Sequence, residues 1–318
     1  MVQSSTISAP QNAALRNAEP ARGLRVSEKL VLGFFVYAVL ASFVYPLSPR
    51  ERVAVLALNL LSSAVICSLS RFGAGGKTEF LSLVRDWFPC VLILLAYRES
   101  GLFFIPDPTH RLDYLFAGWD SWLLKSSFVL GVLSLGSPWI QRYLEFSYFL
   151  CYPLVPLGLG SLYRARAYPS FAAGRKINSG AIDQFWTAVL MALFCCFVLF
   201  PLFPSTPPRS FFQDLPGPAV HPVLRTMNFW ILGQYGIQSS VFPSGHVAGV
   251  TATALTMRRL LPRAGILFLI AAGSIAVATV YGRYHYAADA AAGAIIGVGA
   301  FFASNRLHNT ASINGPMI

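Results

Sequence analysis

Long apolar runs recur along the whole of this sequence, and they leave it few ways to fold. Stretches rich in Val, Leu, Ile, Phe and Ala are separated by short loops that collect the charge. A run of roughly 18 or more such residues can carry a helix through the hydrocarbon layer of a bilayer. In that layer only a helix or a closed barrel satisfies its own backbone. About eight such segments can be drawn: residues 30–47, 53–70, 79–97, 141–163, 181–203, 246–262, 264–282 and 286–304. The third is expected to be tilted or partly interfacial, because Glu79, Arg85 and Asp86 occupy its first turns. Charged residues make up 12% of the chain, against roughly 25% in soluble domains, which excludes an ordinary soluble enzyme. The expected fold class is all-α, a polytopic membrane helical bundle of about eight (six to eight) transmembrane helices.

The charge pattern orders these segments. Residues 1–28 hold no apolar stretch and read as a disordered cytoplasmic N-terminus. N-terminal membrane helices follow over 29–163, with a loop at 98–140 that mixes Asp107, Asp113, Asp120 and Lys125 with Trp119, Trp122, Leu123, Leu124 and Phe128. Such a mixture suits a segment lying in the membrane interface. Residues 181–304 read as a second membrane domain and 305–318 as a cytoplasmic tail. With the N-terminus inside and eight crossings, fifteen of the 24 Lys and Arg fall on inside segments and nine on the longer outside ones. Basic residues favour the cytoplasmic side, so both termini are expected there. The net charge of +11 is spread over short loops rather than gathered in one patch, which argues against nucleic acid. The five cysteines lie inside apolar runs and offer neither a disulfide framework nor a thiolate metal site.

Two of the five histidines sit at the mouths of apolar runs, in Phe242-Pro243-Ser244-Gly245-His246 and in Tyr281-Gly282-Arg283-Tyr284-His285-Tyr286-Ala287-Ala288-Asp289. Both land on the outside in the topology above. Pro and Ser before an apolar run are helix-start signals. Ser244 and Gly245 would therefore present N–H groups at a helix start, an arrangement suited to phosphate. His246, one residue inside, could protonate a leaving oxygen. His285 and Asp289, four apart, would share one face of a helix. Asp289 could hold the imidazole and stabilise its cation, leaving His285 as a nucleophile that needs no metal. For the phosphate charge, Arg209 in Pro207-Pro208-Arg209 is the best fixed cation and Arg225 a weaker one. Arg283 could serve only if its helix begins at or after His285, and is as readily a snorkelling interfacial side chain. The Gly293-x-x-x-Gly297 spacing suggests close helix packing.

These residues resemble the type 2 phosphatidic acid phosphatase superfamily, over roughly residues 181–304. The resemblance rests on the PSGH of Pro243–His246 and on His285-x-x-x-Asp289 within GRYHYAADAAAG. It implies His246 as general acid, His285 as nucleophile through a phosphohistidine, Asp289 as its partner, and no cofactor. The family's Arg six residues before the nucleophile is replaced here by Thr279, and its Lys-x6-Arg-Pro motif is not found. Phe203-Pro204-x-x-Pro207-Pro208-Arg209 is similar to the counterpart in a divergent branch that includes inositol phosphorylceramide synthase-like phosphotransferases.

The expected function is an integral-membrane lipid phosphatase or phosphotransferase, in the plasma (inner) membrane, with its site on the non-cytoplasmic face. Its partners would be a lipid phosphate and membrane lipids, with water or an alcohol such as inositol as acceptor. The alternatives are a transporter or flippase, which the nearly charge-free helix interiors disfavour, a soluble-type haloperoxidase, which the hydrophobicity disfavours, and a catalytically inactive relative.

Overall fold

The computed structural model describes residues 23–72, 79–124, 138–172, 177–211, 223–237 and 240–313. Expectations for residues 1–22, for 125–137 of the interfacial loop and for the end of the tail lie outside them. Among the described residues the regular structure is helical: α1 (Val26–Val44), α2 (Pro49–Phe72), α3 (Glu79–Leu102), α4 (Arg111–Leu124), α5 (Pro138–Phe149), α6 (Leu154–Ala167), α7 (Ser179–Leu199), α8 (Val223–Tyr235), α9 (Gly245–Leu260), α10 (Pro262–Tyr281) and α11 (Ala287–Ile313), with short helical turns at Pro169–Ala172, Phe200–Leu202 and Pro208–Phe211.

Six of these helices are long and apolar enough to cross a membrane, or seven if α5 and α6 form one broken span. Two expected segments differ. Residues 141–163 are not one helix: α5 and α6 meet at 71°. The break falls at Pro153, which lacks a backbone donor and disfavours a helical residue before it. Residues 246–262 yield α9, only 16 residues long and short of a full crossing by length. It sits at the centre of the bundle against α7, α10 and α11, and protein covers most of it. α3, expected to be tilted or interfacial, is long enough to span. Its Arg85 and Asp86 are buried but paired, with Glu28 at 2.6 Å and with Arg25. Asp183 adds to this cluster by accepting the Ser27 N–H at 3.0 Å and its hydroxyl at 2.6 Å, which ties α1 and α3 to the start of α7.

The opposite end holds both histidine motifs. α7 and α10 end there and α9 and α11 begin there, as the Ser244 N–H bond to the Asp289 carbonyl (3.0 Å) shows. Gly293 makes this meeting possible. A Cβ at Gly293 would collide with the Ser244 carbonyl, and one at Gly297 would stand 2.6 Å from the Ala248 carbonyl. The two glycines thus let the starts of α9 and α11 touch backbone to backbone.

Candidate active site

Ser244 is the N-cap of α9, its hydroxyl accepting the Val247 N–H at 3.3 Å. Gly245 and His246 are the first helical residues, and N–H groups at those positions have no carbonyl in a preceding turn to bond. The His246 ring stands edge-on to Tyr148, Tyr152 and His285, each centroid 5.8 Å away.

His285 lies in the turn between α10 and α11. The Tyr284 and His285 N–H groups both donate to the Thr279 carbonyl, at 2.9 and 3.0 Å. Arg283, at φ 60°, takes the left-handed conformation that closes this turn. Thr279, at the family's arginine position, is buried and returns its hydroxyl to the Ala276 carbonyl at 2.7 Å. Its role is therefore in the backbone of the turn. His285 Nδ1 lies 3.1 Å from the Val241 carbonyl and 3.3 Å from Asp289 Oδ2. Two acceptors on one nitrogen assign the hydrogen to Nδ1 and leave the Nε2 lone pair free. Burial first, and the Arg209 charge second, push the His285 pKa down to about 3, against the Val241 carbonyl. The ring is thus neutral at physiological pH.

The reason His285 meets Asp289 differs from the expected shared helix face. α11 begins at Ala287, so His285 is not helical. Asp289 is the third helical residue and accepts the Tyr286 N–H at 2.9 Å, the carboxylate half of a capping box. The same oxygen reaches His285, while Oδ1 is buried with no hydrogen-bond partner among the described residues. The next N–H, of Ala287, is capped from far along the chain by Asp120 of α4, at 3.0 Å. Burial first and the nearby Asp289 raise the Asp120 pKa to about 6, with the Ala287 N–H opposing.

Arg209 docks on the same turn. Its N–H donates to the Arg283 carbonyl at 3.1 Å and its guanidinium to the Tyr284 carbonyl at 3.3 Å. Asp113 of α4 holds the approach to it by accepting the Thr206 N–H at 2.6 Å. The structure thus brings Ser244, Gly245, His246, His285, Asp289, Arg209 and Arg283 to one end of the bundle. Arg225 has a different place: it is 5% exposed and pairs with Glu145 at 2.5 Å. Glu145 also accepts the Tyr284 hydroxyl at 2.7 Å and the Asn228 amide at 3.1 Å, and Tyr284 stacks on Tyr148 at 3.6 Å. Arg225 thus ties α8 to Glu145 and, through the Gly282 carbonyl at 3.5 Å, to the turn.

Sequence reasoning did not find Glu145, Asn228, Tyr284 or Asp120 as parts of the site. The available signal was a carboxylate inside an apolar run, Glu145, and one on a Trp-rich helix, Asp120. α4 in fact turns Trp119 and Trp122 outward while burying Asp113 and Phe116. Among the described residues no group of three His, Cys, Asp or Glu is placed to hold a metal ion.

A PA-phosphatase related-family protein of Dictyostelium discoideum is 50% identical over 48 residues, 15% of this chain and 9% of that protein. The chain thus matches only a small part of that relative's length. No solved structure matches. A sequence model of the PAP2 superfamily matches residues 117–303, more than half of the chain, from α4 with Asp120 through the turn of His285 and into α11. Its helices, long and apolar enough for a bilayer, and a match that spans both histidine motifs identify the chain as a polytopic membrane protein that belongs to the PAP2 superfamily.

Proposed function

We propose that the protein is an integral-membrane lipid phosphatase or phosphotransferase working through a phosphohistidine on His285. The observation that carries this reading is the histidine pair: two rings 5.8 Å apart, one with Nδ1 held by Val241 and Asp289, beside Arg209. His285 Nε2 attacks the phosphorus of a lipid phosphate and the bond to the lipid oxygen breaks. Burial first, then His285 and the Arg209 charge, lower the His246 pKa to about 3. The negative charge of a bound phosphate opposes this, so that His246 takes up a proton with the substrate and gives it to the lipid oxygen. The imidazole ring then carries the phosphoryl group and a positive charge, which Asp289 stabilises. Arg209 and the first N–H groups of α9 hold the non-bridging oxygens, and Arg283 stands at the edge of the same site. In the second half, His246 takes a proton from the acceptor, whose oxygen attacks phosphorus and frees His285. Water as acceptor gives free phosphate. An alcohol such as inositol gives its phosphate monoester, and the Pro-Pro-Arg209 form of the first motif favours such transfer. The excess of Lys and Arg on the other segments supports a site on the non-cytoplasmic face of the plasma (inner) membrane.

The test is trapping. Purified protein is mixed with phosphatidic acid carrying labelled phosphate and quenched in alkali, and acid-labile label is then mapped. Label on the His285 peptide, lost in His285→Ala, is the expected result. Wild-type turnover by a folded His285→Ala protein on every lipid phosphate tried would overturn the mechanism.

A further inference from the structure

A second polar site lies between α2 and α3. Glu99 is 3% exposed and Asn59 is 2% exposed. The Asn59 amide faces the Glu99 carboxyl, but none of their four side-chain oxygen and nitrogen atoms comes within hydrogen-bond geometry of a partner among the described residues. The buried carboxylates elsewhere are bound: Asp86 to Arg25 and Tyr163, Glu145 to Arg225, and Asp183 to Ser27. An ionisable side chain faced only by an amide, with no ion-pair partner among the described residues, is costly to keep within a membrane helix and marks a candidate functional site.

Glu99 lines an open groove of about 350 Å³ together with Val55, Leu58, Leu95, Arg98 and Ile237. The groove is separate from the histidine pair. Tyr97, two residues before Glu99 and so across α3 from it, accepts the Ile237 N–H at 3.2 Å and packs against Phe197, which borders Gly245. Leu58 and Leu102, which line it, are exposed on α2 and α3, so the groove opens where acyl chains would lie. Its two charges select the head. Glu99 repels a phosphate, and Arg98, bonded to the Tyr235 carbonyl at 3.2 Å, repels an ammonium. A hydroxyl can donate to Glu99 and accept from Arg98, both of which line the groove.

We propose that this groove binds the hydroxyl head of an uncharged lipid alcohol, with its chains against Leu58 and Leu95. The proposal stands independently of the reaction at His285. The test is photolabelling of the full-length protein in lipid nanodiscs with a diazirine-bearing diacylglycerol, followed by peptide mapping. Labelled peptides from α2 and α3 are expected, falling at least tenfold in Glu99→Leu and holding within twofold in Glu99→Gln. Leu58→Trp, which fills the groove and leaves Glu99 in place, should also abolish labelling and decides the matter if Glu99→Leu does not fold. Equal labelling of wild type and the folded variants overturns the site. Labelling confined to the peptides of His246 and His285 does the same. Equal labelling by diazirine-bearing phosphatidic acid or sphingosine overturns the assignment of an uncharged head.

Discussion

Replacing Asp289 by Asn tests the site at its most connected atom. Oδ2 accepts the Tyr286 N–H at 2.9 Å and faces His285 Nδ1 at 3.3 Å. An amide carbonyl in its place keeps both bonds, so α11 should still start at Ala287. Val241 holds Nδ1 from 3.1 Å, so the tautomer should survive as well. What is lost is charge. A carboxylate and an imidazolium with centres about 4 Å apart attract by about 4 kcal/mol at an effective dielectric near 20. The neutral bond that remains returns about 1 kcal/mol. The net loss of about 3 kcal/mol falls on the step that makes His285 cationic, and corresponds to roughly a hundredfold in rate. The assay is initial phosphate release from phosphatidic acid in mixed micelles, with circular dichroism to establish that the helices persist. A loss of kcat near a hundredfold at nearly constant KM is expected. A folded Asp289→Asn protein within threefold of wild type would show that Asp289 does not stabilise charge on His285.

Gly293→Ala should push α9 off α11 at Ser244 and cost about 1–3 kcal/mol, with a larger fractional loss of activity than of stability. Gly299→Ala, where a Cβ meets nothing within 4 Å, is the control in the same thermal melts. Asp120→Ala removes the cap on Ala287 and should destabilise by about 1 kcal/mol, while Asp120→Asn, which keeps an acceptor, should stay close to wild type in denaturant titration. His285 should also make stability pH-dependent. Its unfolded pKa is 6.5 and its folded one about 3, so between these values the unfolded chain binds the proton that the folded one refuses. Stability is then full above pH 6.5 and falls on acidification by up to about 1.4 kcal/mol per pH unit. His285→Asn should remove that share of the slope in unfolding followed from neutral pH down towards the folded pKa. The like share of His246, whose pKa is also lowered to about 3, should remain.

Much of this protein is legible along the chain because its information is local. Apolar runs long enough for a bilayer specify helices whatever surrounds them, and Pro243-Ser244-Gly245 announces the start of α9. Both histidines, Asp289 and Arg209 carry motif signals of the same local kind. The break at Pro153 and the shortness of α9 are harder to read, since an apolar residue looks the same whether lipid or protein covers it. Other features depend on contacts between distant residues, which no spacing encodes. Asp120 caps a helix that begins 167 residues later, and Glu145 gathers Arg225, Asn228 and Tyr284 from two other elements. Asp289 reaches His285 through a capping interaction rather than a helical face, because the turn closed by Arg283 ends before α11 begins. The sequence by itself determined that the chain is a membrane bundle and which side chains could do the chemistry, since composition and short motifs suffice for both. Only the tertiary structure decided that Arg209 sits on the turn of His285 while Arg225 is spent on Glu145. The position of a charge depends on which carboxylate or carbonyl the fold brings within hydrogen-bond distance of it.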